Sequence, residues 1–319
     1  MVDCKRLLEL LSKREDYIIL IHRNPDGDAV GSAEALRILL EFLGKRAQVL
    51  SYDTPPSYLS FLPAKPFLSK DDPLPAHPTF LSVDVAEEKL LGFSEEAFPE
   101  GIYVKIDHHK TGSDFAEHCF VDEQASAAGE VVYLLGKEAG LESPAFLTAC
   151  YAAIACDTGC FRYSNATAKT FAIAAELLAG GVDTKTLNAA LFENKNKQMV
   201  KANALGILSA RFYLENRVAL LFFTNEMCKA HGLESEHLAE LSSVLREIEG
   251  VELSLVLKEK KDAPGTYRIS ARSKHFFDCT ALLSAFNGGG HARAAGGEIT
   301  ASDTEEATKR LLEKIAEQF

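Results

Sequence analysis

The 319-residue sequence is short of positive charge, and this shortage restricts the ligands that it can bind. It contains 34 Lys and Arg against 46 Asp and Glu, a net charge of −12, so the surface as a whole repels phosphate backbones. Long duplex DNA is therefore a poor candidate, and a general single-stranded nucleic-acid-binding module would need a basic groove with regularly placed aromatic residues. An anionic ligand has to be small and held by local groups, bound metal ions among them.

Paired cysteine motifs and long apolar segments are also lacking. The seven cysteines are scattered without a C-x-x-C pair, which fits reduced thiols in a cytoplasm. No apolar run approaches the roughly twenty residues that a membrane-spanning helix needs, and the first residues form an amphipathic helical pattern without a signal-peptide core. We expect a cytoplasmic protein that does not associate with a membrane.

Short β-rich apolar segments alternate with helical patterns in the first half of the chain, which is typical of a parallel α/β sheet. The pattern predicts strands at 17–21, 47–52, 79–83 and 102–106, and helices at 29–43, 128–139, 145–155, 167–179 and 184–192. A Pro-rich segment, 54–78, is expected to be a surface connection.

A second pattern begins near residue 211. It predicts paired strands within 212–223, strands at 251–258 and 267–271, and helices at 235–248 and 304–317. The predicted fold class is α/β, with a parallel-sheet N-terminal domain and flanking helices at 1–190, a linker helix at 191–210, and a smaller α/β C-terminal domain with a mixed sheet at 211–319.

Three predicted strands run directly into ionisable residues. YIILIH ends in His22, TFLSVD ends in Asp84, and IYVKID ends in Asp107 and is followed by His108 and His109. Because the carboxyl ends of parallel strands share one edge of a sheet, these side chains should converge there.

Further carboxylates belong to the same predicted edge. His22 opens a tight loop that contains Asp26 and Asp28, and Asp157 follows a helix of small residues. Taken singly, Asp28 could cap the next helix and His22 could make an ordinary hydrogen bond. Together, however, so many like charges need cations or protons. Carboxylate and imidazole without thiolate suit two Mn²⁺ ions best, with Mg²⁺ or Co²⁺ as substitutes.

The second half offers donors for phosphate. Arg272 follows a strand, and the glycine run with Gly289 and Gly290 can present backbone N–H groups beside His291. Alone, these features also fit a solvated cation and a flexible turn. Arg162 could meet a phosphate or a base, or equally form a packing salt bridge.

These motifs resemble a known family. The pattern His22-x-x-x-Asp26-x-Asp28, the lone Asp84, the DHH triplet and Asp157 look like the four motifs of DHH phosphoesterases. The later segment GGGHARAAGG looks like the signature of the DHH-associated domain in the RecJ and NrnA-like branch.

The resemblance implies a role for each matched residue. One Mn²⁺ would be bound by His22, Asp26 and Asp84, and the other by Asp28, Asp84, His108 and Asp157. Asp84 would bridge the ions, Asp107 would orient the histidines, and His109 would face the substrate phosphate. The resemblance also assigns Arg272 and His291 to substrate binding.

The implied activity is Mn²⁺-dependent hydrolysis of short oligoribonucleotides, 3′-phosphoadenosine 5′-phosphate, or both. A cyclic-dinucleotide or linear dinucleotide phosphodiesterase is an alternative, and so is a catalytically silent nucleotide-binding regulator. Family II pyrophosphatases and exopolyphosphatases share the metal motifs but resemble a different C-terminal domain. The expected partner is thus short RNA or a mono- or dinucleotide, and the sequence leaves a homodimer open.

Overall fold

The computed structural model describes residues 2–94, 97–194, 196–238 and 240–319, without the side chain of His291. It divides into two compact units, Met1–Asn194 and Lys195–Phe319, and each unit contains its own six-stranded sheet. The predicted α/β fold class is confirmed. Among the described ranges, no helix combines the length and the apolar character that crossing a bilayer requires.

The N-terminal sheet is parallel throughout, with the strand order β3-β2-β1-β4-β5-β6. Its strands are β1 (Asp16–Leu20), β2 (Arg46–Ser51), β3 (Leu68–Ser69), β4 (Thr79–Val83), β5 (Ile102–Asp107) and β6 (Ala116–Val121). The chain builds the sheet outward from β1 in one direction and then returns to place β4 on its other side. The gap between the ends of β1 and β4 is therefore the topological switch point, where ligands of such sheets bind.

Helices cover this sheet and define its main core. They are α1 (Cys4–Ser12), α2 (Gly27–Phe42), α3 (Ala128–Glu138), α4 (Pro144–Asp157), α5 (Ala168–Ala179) and α6 (Thr184–Asn188). Alternate residues of β1 enter opposite cores: Ile19 packs in the helix-covered cluster, whereas Ile18 and Leu20 pack in a smaller cluster on the other face. Burial on both faces explains the continuous apolar sequence of this strand.

The Pro-rich segment differs from the surface connection that the sequence predicts. It supplies the edge strand β3, and it buries Leu59 and Leu62. Ala64 N also donates to Glu34 Oε1 at 3.0 Å. Strand β6 was missed as well, because AEHCFV has the mixed polarity of a sheet edge.

A buried ion pair in α2 gives a testable consequence. Glu34 is 1% and Arg37 3% exposed, and they are joined by two hydrogen bonds of 2.8 and 2.6 Å. Arg37 also pairs with the partly exposed Glu41, at 2.8 Å, so removing Glu34 takes away the buried counterion of Arg37 and the acceptor of the Ala64 N–H. We therefore expect Glu34→Ala to lower the free energy of unfolding of the N-terminal unit by about 3 kcal/mol in urea denaturation. The control is Glu9→Ala, which changes an exposed acid of α1 outside this network and should cost about 0.5 kcal/mol or less. Equal losses for the two variants would contradict this view.

The C-terminal sheet is mixed, with the order β11-β12-β10-β9-β8-β7; β8 and β9 are parallel and the other pairs antiparallel. Its strands are β7 (Arg211–Tyr213), β8 (Val218–Phe223), β9 (Leu253–Lys260), β10 (Ala263–Ser273), β11 (Gly289–His291) and β12 (Ala294–Thr300). The helices are α7 (Lys197–Ser209), α8 (Asn225–His231), α9 (Leu241–Arg246), α10 (Cys279–Ser284) and α11 (Thr304–Ile315).

Several short elements of this unit differ from the sequence prediction or were not predicted. The helix predicted at 235–248 is a 3₁₀ turn, Ser235–Leu238, followed by the separate α9. Helices α8 and α10 and the hairpin β11–β12 were not predicted, because six or seven residues, or a run of glycines, carry too little periodicity.

Candidate metal centre

The ends of three neighbouring strands bring the predicted ligands together. His22 lies two residues beyond β1, Asp84 directly follows β4, and Asp107 ends β5. Three overlapping groups of ligand atoms result, each with all atoms within 4.8 Å of one another: His22, Asp26 and Asp84; Asp28, His108 and Asp157; and Asp84, His108 and His109. The centre therefore lies at the switch point of the sheet.

Asp84 belongs to the first group and also approaches His108, a member of the second group. Its Oδ2 is 3.6 Å from His22 Nε2, and its Oδ1 is 3.5 Å from His108 Nε2. The backbone of Asp84 is left-handed, with φ of +59°, while its N–H donates to Ile106 O at 3.0 Å. An unusual conformation for a non-glycine residue thus directs one carboxylate oxygen to each side of the centre.

The loop after β1 is ordered by its own carboxylate. Asp26 Oδ1 accepts from the N–H groups of Asp28 and Ala29 at 3.0 and 3.1 Å, so Asp26 caps α2. The alternative in which Asp28 caps this helix is wrong. Gly27 is required here, because a Cβ would lie 2.1 Å from Cys156 Sγ on α4.

Asp28 is fully buried and held from two helices. Ser32 Oγ donates to its Oδ1 at 2.6 Å, and the N–H groups of Ala128 and Gly129, at the start of α3, donate to Oδ2 and Oδ1 at 2.7 and 3.1 Å. A carboxylate offers about four lone-pair positions, so Oδ2 keeps one. This oxygen is 3.7 Å from His108 Nε2 and so remains available to the centre.

The two histidines present the same nitrogen to the carboxylates. His22 Nδ1 lies 2.8 Å from Arg23 O, and His108 Nδ1 lies 3.4 Å from Ala125 O. A backbone carbonyl can only accept, so each Nδ1 carries the proton. The neutral form of each ring therefore has its lone pair on Nε2, as in histidines that ligate metals.

Asp157, the last residue of α4, is held by a side chain that we did not assign a role from sequence. Asn165 Nδ2 donates to the Asp157 carbonyl at 3.1 Å and to Ser126 O at 3.1 Å, and it lies 3.5 Å from Asp157 Oδ2. Asn165 follows Asp157 outside any helix or strand pattern, so no sequence pattern indicates this contact. Ser32 follows the first motif but was given no role either, although its i+4 spacing from Asp28 on one helix could have revealed the contact.

The electrostatics of the centre call for a cation. Burial, with repulsion from Asp84, raises the pKa of Asp28, and burial also raises the pKa of Asp157 well above its usual range. Burial alone would lower the pKa of His22, but the Asp26 and Asp84 carboxylates raise it to about 11. Against the effect of its burial, contacts with His108 and His22 lower the pKa of Asp84. Protons on Asp28, Asp157 and the histidines therefore occupy positions that divalent cations would take.

The donor set fits hard divalent ions. Carboxylate oxygens and imidazole nitrogens converge, whereas burial raises the pKa of the nearby Cys156 and Cys160 thiols and keeps them protonated. A candidate metal centre is therefore present. The ion's identity and the role of each ligand stay predictions.

His109 is oriented differently from its neighbour. Its Nδ1 lies 2.6 Å from Asp107 Oδ1, which also accepts from the His108 N–H at 2.9 Å. Burial alone would raise the pKa of Asp107, but the bond to His109 lowers it. Asp107 is thus an ionised acceptor that fixes the His109 ring.

The predicted phosphate donors of the C-terminal unit lie in one row of its sheet. Arg272 on β10 pairs with Ala294 on β12, which pairs in turn with His291 on β11. Two strand spacings, about 10 Å, therefore separate the Arg272 and His291 positions. Gly289 and Gly290 belong to the same edge strand, and a Cβ at Gly290 would lie 2.6 Å from Ala294 O. The side chain of His291 lies outside the described residues.

Arg162 follows a strained turn beyond α4. Three successive residues, Gly159, Cys160 and Phe161, have φ of +56°, +58° and +63°. Arg162 Nε donates to Gly159 O at 2.8 Å, which closes the turn. Its role in substrate binding stays a prediction.

Comparison with known proteins identifies two family domains and several relatives of similar length. A model of the N-terminal domain of the DHH family matches residues 16–154, and a model of the DHHA1 domain matches residues 215–318. The chain is 30% identical over 305 residues to the bifunctional oligoribonuclease and PAP phosphatase NrnA of Thermus thermophilus, covering 94% of this chain and 89% of that protein.

A second relative and one solved structure are similar to this chain over nearly its whole length. The protein of the same name from Bacillus subtilis is 28% identical over 317 residues, covering 98% of each chain. The crystal structure of an exopolyphosphatase-related protein from Bacteroides fragilis has a TM-score of 0.88 at 23% identity, covering 98% of this chain and 95% of that one. The last similarity shows the fold alone.

Proposed function

The chain belongs to the DHH family of phosphoesterases and is a hydrolase of phosphate ester bonds, and we propose that it uses two Mn²⁺ ions to hydrolyse short oligoribonucleotides and 3′-phosphoadenosine 5′-phosphate. The reaction takes place in the cytoplasm, where seven free thiols are stable. The substrate is short RNA or a mononucleotide, which suits a net charge of −12.

The position of Asp84 carries this proposal. Its two oxygens approach His22 on one side and His108 on the other, at 3.6 and 3.5 Å. Asp26 completes the first set, while Asp28 and Asp157 complete the second. A carboxylate shared by two ligand sets is the arrangement that a pair of metal ions requires.

The chain's own residues account for the remaining chemistry. When bound by these residues, a pair of divalent ions would supply an activated water and neutralise charge at phosphorus. Asp107 holds the proton on His109 Nδ1. The other nitrogen, Nε2, then faces the substrate phosphate and can exchange a proton with the leaving oxygen. Arg272, Arg162 and the amides of Gly289 and Gly290 bind phosphate oxygens, with His291 beside them.

A panel of four substrates tests the proposal. We expect turnover of a labelled ribodinucleotide and of 3′-phosphoadenosine 5′-phosphate with Mn²⁺, and much slower turnover of a longer RNA. A cyclic dinucleotide included in the panel tests the phosphodiesterase alternative. Preference for the cyclic substrate would replace the proposal, and no Mn²⁺-dependent turnover of any of the four substrates would leave a silent nucleotide-binding protein.

Arg272 provides a matched test within one strand. Since a guanidinium that binds phosphate supplies charged hydrogen bonds, we expect Arg272→Gln to raise KM for the ribodinucleotide by about tenfold or more. Arg268 lies four positions earlier on β10 and is exposed, and Arg268→Gln should change KM little. Equal KM values for the two variants would remove Arg272 from the site.

A further inference from the structure

Lys105 is a buried cation inside β5. Only 2% of it is exposed, and lysine is rarely buried so fully unless its ammonium is paired. Its three N–H donors have three neighbours: Ala86 O at 2.9 Å, Ser113 O at 3.1 Å and Asp107 Oδ2 at 3.1 Å. Protein oxygens therefore surround the Lys105 ammonium.

Two of these neighbours belong to loops that carry the metal centre. Ala86 lies two residues after Asp84, and Ser113 lies four residues after His109. Ser113 N also donates to Ala86 O at 3.1 Å, so the loops are joined directly. Lys105 Nζ therefore contacts both loops.

The third neighbour leads to His109. Asp107 Oδ1 accepts from His109 Nδ1, whereas Asp107 Oδ2 is buried and has no aligned hydrogen bond within the described part of the chain. The Lys105 ammonium is the counterion beside that second oxygen. Lys105 and Asp107 are two positions apart on the strand and so share one face.

We propose that Lys105 is a positioning residue for hydrolysis: it fixes the Asp107 carboxylate, and Asp107 in turn fixes the His109 ring against the substrate. The inference rests on the proposed function and names a further residue of the same site. The Asp84 backbone N–H donates to Ile106 O and His108 Nδ1 lies beside Ala125 O, and Lys105 takes part in neither bond. Its loss should therefore affect turnover more than metal binding.

Lys105→Met keeps most of the length of the side chain, which becomes one atom shorter, and removes its charge. We expect kcat on the ribodinucleotide to fall by about 10- to 100-fold, as for other residues that orient ligands through a second group. KM, and Mn²⁺ affinity measured by titration calorimetry, should stay within about twofold. Lys137→Met, on the exposed surface of α3, is the control and should retain wild-type kcat.

A double-mutant cycle with Asp107→Asn separates positioning from general support. If Lys105 acts through Asp107, the double variant should be within about twofold of Asp107→Asn alone. The double variant also leaves no unpaired buried charge, so the comparison holds even if Lys105→Met folds poorly.

Two results overturn the role of Lys105: multiplicative losses in the cycle, or a Mn²⁺ affinity that falls in parallel with kcat. Wild-type protein that is inactive on every nucleotide would instead refute the proposed function. The two failures are thus distinguished by the wild-type assay alone.

Discussion

Replacing Asp84 by Asn is expected to lower turnover by about 10³-fold, with the N-terminal unit still folded. Asn tolerates the left-handed backbone at this position, where φ is +59°, so the change removes charge without new strain. We expect a large loss because this one carboxylate approaches both His22 and His108 and would belong to both of the proposed ligand sets. Turnover of the ribodinucleotide with saturating Mn²⁺ measures the effect.

Asp71→Asn is the matched control, because Asp71 is an exposed acid of the same unit. It should retain full activity, and circular dichroism should show equal helix content for both variants. If Asp84→Asn kept more than about a tenth of wild-type turnover, the bridging role and the two-metal centre would both be wrong.

Strand ends were the part of the site that sequence could predict. The apolar runs before His22, Asp84 and Asp107 set the strands, and parallel topology then required their ends to share an edge. The structure places the strands within one or two residues of the predicted bounds. Continuous apolar runs were sufficient evidence here because the strands are buried on both faces.

The supports of the site could not be predicted in this way. Asp28 is held by backbone N–H groups about one hundred positions later, at Ala128 and Gly129. Asn165 reaches Asp157 only because three left-handed residues turn the chain back after α4. Lys105 reads as an ordinary polar residue in a strand, although its ammonium lies in the interior. Such contacts depend on tertiary packing, which periodicity does not encode.

Removing divalent ions should abolish turnover and also destabilise the N-terminal unit. Without cations, the Asp28, Asp84 and Asp157 carboxylates crowd one buried edge, where burial and mutual repulsion already raise the pKa of Asp28 and Asp157. Mn²⁺ at about 100 times its dissociation constant should stabilise the folded state by about 2.7 kcal/mol. For a unit of this size, calorimetry should show an unfolding temperature about 5–10 °C higher with Mn²⁺ than with chelator.

The matched variant for this measurement is Asp84→Asn combined with Asp157→Asn. Each ligand set loses a carboxylate, so the Mn²⁺-dependent rise in unfolding temperature should disappear. Identical unfolding temperatures of the wild type in chelator and in Mn²⁺ would show that these side chains do not hold a metal, and the hydrolase would then need another site.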